Sequence, residues 1–331
     1  MAWLGQARRS GCDDLPSGPR TELVRARVGA GSRAIRMLGS LLYLGLDVLG
    51  IPRAARRGGT ILCYHNVVGD GEAAQSTTAD LHMPLARFEM QLGWLIRHYE
   101  IVPLHELVER IERGKQLLRV AALTFDDGYA GTFKHVVPVL ARLGIPATIF
   151  VIAEAPGRSD AFWWDHPDLP GSIARRYLLE ELRGDEHAIR GATRLRSDWA
   201  VSECLRPADW HVIVAAARHG VDIGVHSATH RSLPWLTNGQ LQREVVTSRH
   251  VVQRESGVMP DFFAYPYGLW DERVRAAVRA AGYRAAVTLD PGLNRAGADP
   301  WALRRINIPA SISDAAFHAY TAGLNPRWAL G

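Results

Sequence analysis

From Thr60 onward, short apolar runs alternate with amphipathic stretches. Residues 61–65, 121–125, 147–152, 221–225, 262–265 and 284–289 are brief, apolar and partly β-branched or aromatic, which predicts buried strands. Between them, residues 84–99 carry Phe88, Leu92 and Leu95 on one stripe and predict a helix. Residues 129–143 predict another despite Pro138, and 240–255 and 272–281 two more. Strand–helix alternation at this spacing argues an α/β fold built on a parallel sheet, open or closed into a barrel. Residues 156–207 break the rhythm with many charges and the run Trp163-Trp164-Asp165, so this stretch is expected to be an insertion rising from one barrel loop.

Composition narrows the class. The chain has 331 residues, 47% hydrophobic and 22% charged, which excludes disordered, collagenous and coiled-coil readings for most of it. One domain is expected over 59–325, preceded by a basic, partly apolar segment over 1–58. Residues 1–60 hold ten arginines against Asp13, Asp14, Glu22 and Asp47, a surplus larger than the +5 of the whole chain. The remainder is therefore close to neutral, and nothing in it suggests nucleic acid. Arg8 and Arg9 are followed by Gly, Asp, Pro and Ser rather than an apolar run, so no secretory signal is expected and the cytoplasm is the expected compartment. Residues 37–46 are nearly all apolar but too few for a span of about 20. Residues 35–51 are expected either to pack on the main domain or to lie on a membrane surface at its inner face. Cys12, Cys63 and Cys204 are far apart and form no C-x-x-C, against a disulfide framework or a cysteine zinc site.

Three places could carry chemistry. Thr124-Phe125-Asp126-Asp127-Gly128 puts two carboxylates at the end of a predicted parallel strand, where α/β folds place their sites. One can bind a cation while the other handles a proton; the plainer alternative is a pair of aspartates capping a helix. His226-Ser227-Ala228-Thr229-His230 also follows a strand, and imidazoles four apart share a face if the turn between them is helical. Two surface histidines are the alternative when the motif stands alone. Joined with the aspartates, a His, His, Asp set leaves an open coordination position, as catalytic metals need. In Phe262-Phe263-Ala264-Tyr265-Pro266-Tyr267-Gly268, Pro266 and Gly268 mark an abrupt turn at a strand end.

At these three places the chain resembles the polysaccharide deacetylase family, the NodB-homology or carbohydrate esterase 4 group, over roughly residues 59–310. The family's T-F-D-D-G falls on 124–128 and its H-[ST]-x-x-H on 226–230, with its arginine-x-proline-tyrosine matched in part by 264–267. The resemblance implies a distorted or incomplete (β/α) barrel and one divalent metal, usually zinc, with an acyl group removed from an amide nitrogen on a sugar. Cobalt, nickel or iron would suit the same N/O donors. It implies that Asp127, His226 and His230 hold the metal, that Asp126 is the general base for the attacking water, and that the Tyr267 N–H helps hold the oxyanion.

Two departures stand out. The motif arginine is Ala264, and the late leucine-x-histidine that supplies the general acid is absent from Leu303-Arg304-Arg305-Ile306-Asn307-Ile308. A subgroup with F-A-Y-P-[YF]-G, similar to the poly-N-acetylglucosamine deacetylases, looks circularly permuted and begins with a strand ending in tyrosine-histidine. That implies His65, after Tyr64, as the acid, reaching the site because first and last strands are neighbours in a closed barrel. Arg305 or Arg304 is the expected substitute for the lost arginine. Trp163, Trp164, Pro266 and Arg305 are expected to touch substrate, the tryptophans alternatively forming the insertion's own core. The expected substrate is an N-acylated sugar polymer or a lipid-linked sugar; a small-molecule amidohydrolase and a non-catalytic sugar-binding barrel are the competing expectations.

Overall fold

The computed structural model describes residues 43, 45, 58–69, 76, 78–171, 173–196 and 199–324. The strands are β1 (Thr60–Tyr64), β2 (Asn66–Val68), β3 (His82–Pro84), β4 (Glu100–Ile101), β5 (Val120–Phe125), β6 (Thr148–Val151), β7 (Asp222–Val225), β8 (Phe262–Ala264), β9 (Ala285–Val287) and β10 (Ile306–Asn307). Eight of them form one parallel sheet in the order β10-β1-β5-β6-β7-β8-β9, with β4 also on β5; β2 and β3 pair as a separate ribbon. The sheet curls until its edges nearly meet. Leu303 N–H donates to Ala286 O and Thr288 N–H to Leu303 O, and two residues later Ile306 lies opposite Leu62 of β1. The segment 303–307 thus bridges from β9 to β1, giving the distorted α/β barrel that the strand–helix rhythm predicted.

The strands are buried on both faces, as parallel strands covered by helices must be. Leu62, Tyr64, Leu123 and Phe125 point outward onto Phe88, Leu92 and Leu95 of α1 (Leu85–His98), the stripe read from the sequence. Ile61, Ala122, Phe150, Phe262 and Ala285 point the other way and pack with Leu104, Leu107 and Ile111 of α2 (Leu104–Glu112). Burying each such aliphatic or aromatic side chain is worth about 1.5–3 kcal/mol, so the alternation fixes the strand register.

Further helices follow as α3 (Val137–Leu143), α4 (Glu186–Thr193), α5 (Trp210–Arg218), α6 (Asn238–Gln242), α7 (Ser248–Ser256), α8 (Glu272–Ala280) and α9 (Asp314–Thr321). The predicted helix 129–143 is realised as a π-turn, Thr132–Val136, running into α3. Pro138 follows directly on that π-turn, whose wider turn accommodates a ring and a missing N–H inside a continuous helix. The predicted helix 240–255 is likewise α6, a π-turn over Arg243–Thr247, and α7, opened by a Thr237–Gln240 capping box. The β2–β3 ribbon, β4, α2, α4, α5 and α9 were not foreseen; all are short and lie between the stronger patterns or in the insertion.

The residues between β6 and β7 carry their own small core of Phe162, Trp163, Trp164, Leu178 and Ile189, continuous with Tyr129 and Ile152 of the barrel rim. Nearly all of the expected helix over 35–51 lies outside the described residues. Of it, Tyr43 is buried with its ring edge-on to Tyr320 at 5.7 Å. Among the described residues no helix is long and apolar enough to cross a membrane.

Candidate active site

Three strand ends build the site. β5 delivers Asp126 and Asp127, β7 delivers His226, and the turn after β8 delivers Tyr267; β1, hydrogen-bonded alongside β5, ends beside them at His65. Asp126 N–H donates to Tyr64 O at 3.0 Å, which sets the register of His65 against the aspartate pair. His65, Asp126, Asp127, His226, His230 and Tyr267 all line one cavity of about 640 Å3.

The backbone at these positions is unusual. Among the described residues, seven non-glycine residues have positive φ, and four of them are Asp127 (71°), Ser227 (63°), His230 (59°) and Tyr267 (59°). Such conformations cost about 1–3 kcal/mol each and persist where the surroundings hold them. They also correct one expectation: the turn between His226 and His230 is not helical, and the imidazoles converge because two left-handed residues fold it back. Ser227 Oγ accepts the His230 N–H at 2.9 Å. From α6–α7, buried Glu244 accepts Ala228 N–H (3.0 Å), Thr229 N–H (2.9 Å) and the Thr229 hydroxyl (2.6 Å). Gly128 and Gly268 complete the turns at φ of 73° and 69°; a Cβ on Gly268 would lie 2.5 Å from Leu289 Cβ.

Asp127 Oδ1 lies 3.5 Å from both His226 Nε2 and His230 Nε2, and the two Nε2 atoms are 3.2 Å apart. His226 Nδ1 faces the Ala264 carbonyl at 2.8 Å, which can only accept, so its Nε2 presents a lone pair. Burial, and for His230 also the neighbouring His226, pushes both imidazoles down and keeps them neutral. Asp127 Oδ1 is buried without a hydrogen-bond partner. Burial, with the charges of Asp126 and Asp165, pushes its carboxyl well up. A carboxylate oxygen without a partner beside two imidazole nitrogens, which as neutral rings can both turn lone pairs inward, makes a poor protein interior and a good cation site, so these three residues fit a divalent metal. The rings of Trp164 and Tyr267 pack on His230 at 4.6 and 4.4 Å and fix its plane.

Asp126 is held differently. Arg305, fully buried, grips it with two parallel bonds, Nη1 to Oδ1 at 2.7 Å and Nη2 to Oδ2 at 2.6 Å. The same guanidinium donates to Thr288 O and to Thr124 Oγ1. Burial pushes the Asp126 carboxyl up, but the charge of Arg305, then of His226, and the Arg305 bonds outweigh it and hold the group well below the usual carboxylate range. The Cys63 thiol, kept protonated by burial, donates to Oδ2 at 3.4 Å. His65 joins this group from the cavity side; burial pushes its imidazole down to about 4 against the opposing pull of Asp126.

Two expectations about substrate contact need correction. Arg305 cannot touch substrate, because every face of its guanidinium is enclosed by Asp126, Thr288 and Thr124. Pro266 is buried at the start of the turn that carries Tyr267 and is not on the cavity wall. Arg304, the other candidate for the lost arginine, instead reaches the Pro291 carbonyl. Trp163 and Trp164 serve both expected roles, buried in the insertion's core and lining the cavity. Sequence reasoning missed Glu244, although its signal was there: it shares the apolar face of Leu241, Val245 and Val252, an odd place for a carboxylate.

Residues 113–286 match the family model described as polysaccharide deacetylase. A relative from Bacillus subtilis (strain 168), YxkH, which is named for the same family, is 24% identical over 262 residues, covering 78% of this chain and 75% of its own. Among solved structures, IcaB from Ammonifex degensii superposes with a TM-score of 0.58 at 19% identity, covering 81% of this chain and 98% of that one. The Streptococcus pyogenes deacetylase PplD, in complex with acetate, gives 0.57 at 17% identity, covering 80% and 98%.

Proposed function

Since this chain belongs to the polysaccharide deacetylase family of hydrolases acting on linear amides, we propose that it removes N-acetyl groups from an amino sugar in a polysaccharide or glycoconjugate. The observation that carries the reading is the division of labour between adjacent aspartates. Asp127 stands 3.5 Å from two imidazole nitrogens with no hydrogen bond to either, while Asp126 is locked to a buried arginine.

Asp127, His226 and His230 would hold a divalent cation, zinc in the first instance. When bound it supplies Lewis acidity to the acyl oxygen and acidifies the attacking water. Arg305 keeps Asp126 ionised and fixes both its oxygens, so its lone pairs meet the water in one orientation. Asp126 takes a proton from that water. The Tyr267 N–H, on a turn set by Pro266 and Gly268, donates to the developing oxyanion. His65 passes a proton to the departing nitrogen, without which the C–N bond holds. Neutral at rest, the His65 imidazole takes over the proton that Asp126 has drawn from the water, the two side chains bringing their polar atoms within 4.8 Å of each other, and hands it on to the nitrogen. The proton Asp126 removes and the one His65 delivers balance over a turnover. On this reading Arg305 and His65 stand in for the arginine and histidine missing from their usual motifs, which favours catalysis over a sugar-binding remnant.

Acetate release from N-acetylated oligosaccharides, measured with chelator and after adding zinc, tests the reading. Metal-replete protein that binds such sugars and releases no acetate would refute it. One observation favours a second substrate: Leu81, Leu169, Leu178, Leu179 and Leu289 give the cavity an aliphatic wall. A lipid-linked amino sugar would use that wall, and comparing soluble chitooligosaccharides with lipid-linked sugars separates the two.

A further inference from the structure

The cavity has two walls that do not come from the barrel strands: Thr78, Ala79, Asp80 and Leu81 on one side, Trp163 and Trp164 on the other. They lie more than eighty residues apart in sequence, and one carboxylate joins them. Asp165 is fully buried. Its Oδ1 accepts from Ser76 Oγ at 2.7 Å, from Thr78 Oγ1, and from His82 Nε2 at 2.9 Å. Its Oδ2 accepts from the Tyr129 hydroxyl at 2.6 Å, and that hydroxyl accepts from Trp164 Nε1 at 2.7 Å.

The donor directions are fixed. Asn66 Nδ2 donates to the Cys204 carbonyl at 2.8 Å and to His82 Nδ1 at 3.1 Å. A carbonyl can only accept, so the amide orientation is determined, Nδ1 is the acceptor, and Nε2 carries the hydrogen given to Asp165. The Trp164 indole N–H can only donate, so the Tyr129 oxygen accepts from it and turns its own hydrogen to Asp165. Each neighbour that loses this carboxylate becomes a buried donor without an acceptor.

We propose that Asp165 is the positioning residue that sets both walls of the substrate cavity, so that the 78–81 loop and the Trp163–Trp164 turn are held, and released, together. The kinetic form of this inference rests on the deacetylase reading; its structural form does not. The test uses the full chain with Asp165→Ala, Asp165→Asn and Tyr129→Phe. In Asp165→Ala, amide hydrogen exchange over both 78–82 and 163–166 accelerates by about tenfold or more, as the loss of one to two buried hydrogen bonds requires. Asp165→Asn, which keeps an acceptor for Ser76, Thr78 and His82, is intermediate, and decides the matter should the alanine protein not fold. Tyr129→Phe loosens 163–166 alone. KM for an N-acetylated oligosaccharide rises about tenfold in Asp165→Asn with kcat changed by less and zinc still stoichiometric, since Asp165 itself bonds neither a reacting group nor a metal ligand and Tyr267 still packs on His230. Acceleration in one segment only for the Asp165 variants, or a fall in kcat at unchanged KM, overturns the proposal. Should the wild-type chain release no acetate, the functional reading falls, and the exchange measurement still decides the anchor.

Discussion

Asp126 and Asp127 are neighbours in sequence and opposites in environment. One faces an arginine, the other two imidazoles, and the difference sets which can take a proton and which can hold a cation. Asp126→Asn and His65→Ala should each lower kcat for acetate release by about 10²–10⁴ while leaving zinc bound, as read by metal analysis of the purified variants. Arg305→Met leaves a buried carboxylate unpaired and should destabilise the fold by about 3–5 kcal/mol in denaturant titration. The double variant Asp126→Met with Arg305→Met should regain most of that stability and none of the activity. At this scale the sequence was informative where residue type and spacing coincide: the aspartate pair, both histidines, and the Tyr64-His65 strand end were readable. The Asp126–Arg305 pairing was readable only as a choice between Arg304 and Arg305, because 179 residues separate the partners and an arginine beside an arginine gives no sign of which is buried. Its enclosure comes from the sheet's closure, a property of the whole barrel.

The elements that matter most are the strand-end turns, and these were the least legible. Period-2 and period-3.6 patterns located the main strands and helices to within a few residues, since burial on defined faces imposes them. The same patterns say nothing about a turn whose shape depends on left-handed backbone at Ser227 and His230. That shape is imposed from outside, by Glu244 on the helix that packs across it. Glu244→Ala should therefore act at a distance. Two backbone N–H groups lose their acceptor, at about 1–3 kcal/mol each, and zinc affinity should fall by about 10–100-fold in competition with a chromophoric chelator, as when a ligand's supporting partner is lost. Unchanged affinity would mean that the turn holds its form without the glutamate. Gly268→Ala, which drives a Cβ into Leu289, should lower the melting temperature and acetate release together.

At the scale of the molecule, the barrel gathers groups from positions 65 to 305 around one point, and a cation held there would act on folding as well as on chemistry. Dialysis against chelator should abolish acetate release and lower the melting temperature, with zinc at about one hundred times its dissociation constant restoring about 2.7 kcal/mol of stability. Loss of activity with no thermal shift would place the metal outside the folded core. The overall architecture was readable from rhythm, and the resemblance implied that first and last strands are neighbours; how 303–307 bridges from β9 to β1, with Ile306 opposite Leu62, was not, since it depends on two strand edges meeting in space. That seam has a temporal side. A chain emerging from the ribosome completes both carboxylates and both imidazoles long before Arg305 exists. Until the seam is laid, the carboxylate at 126 has no guanidinium to answer it, so a polypeptide cut short before residue 303 would retain every recognisable motif of a hydrolase and remain inert.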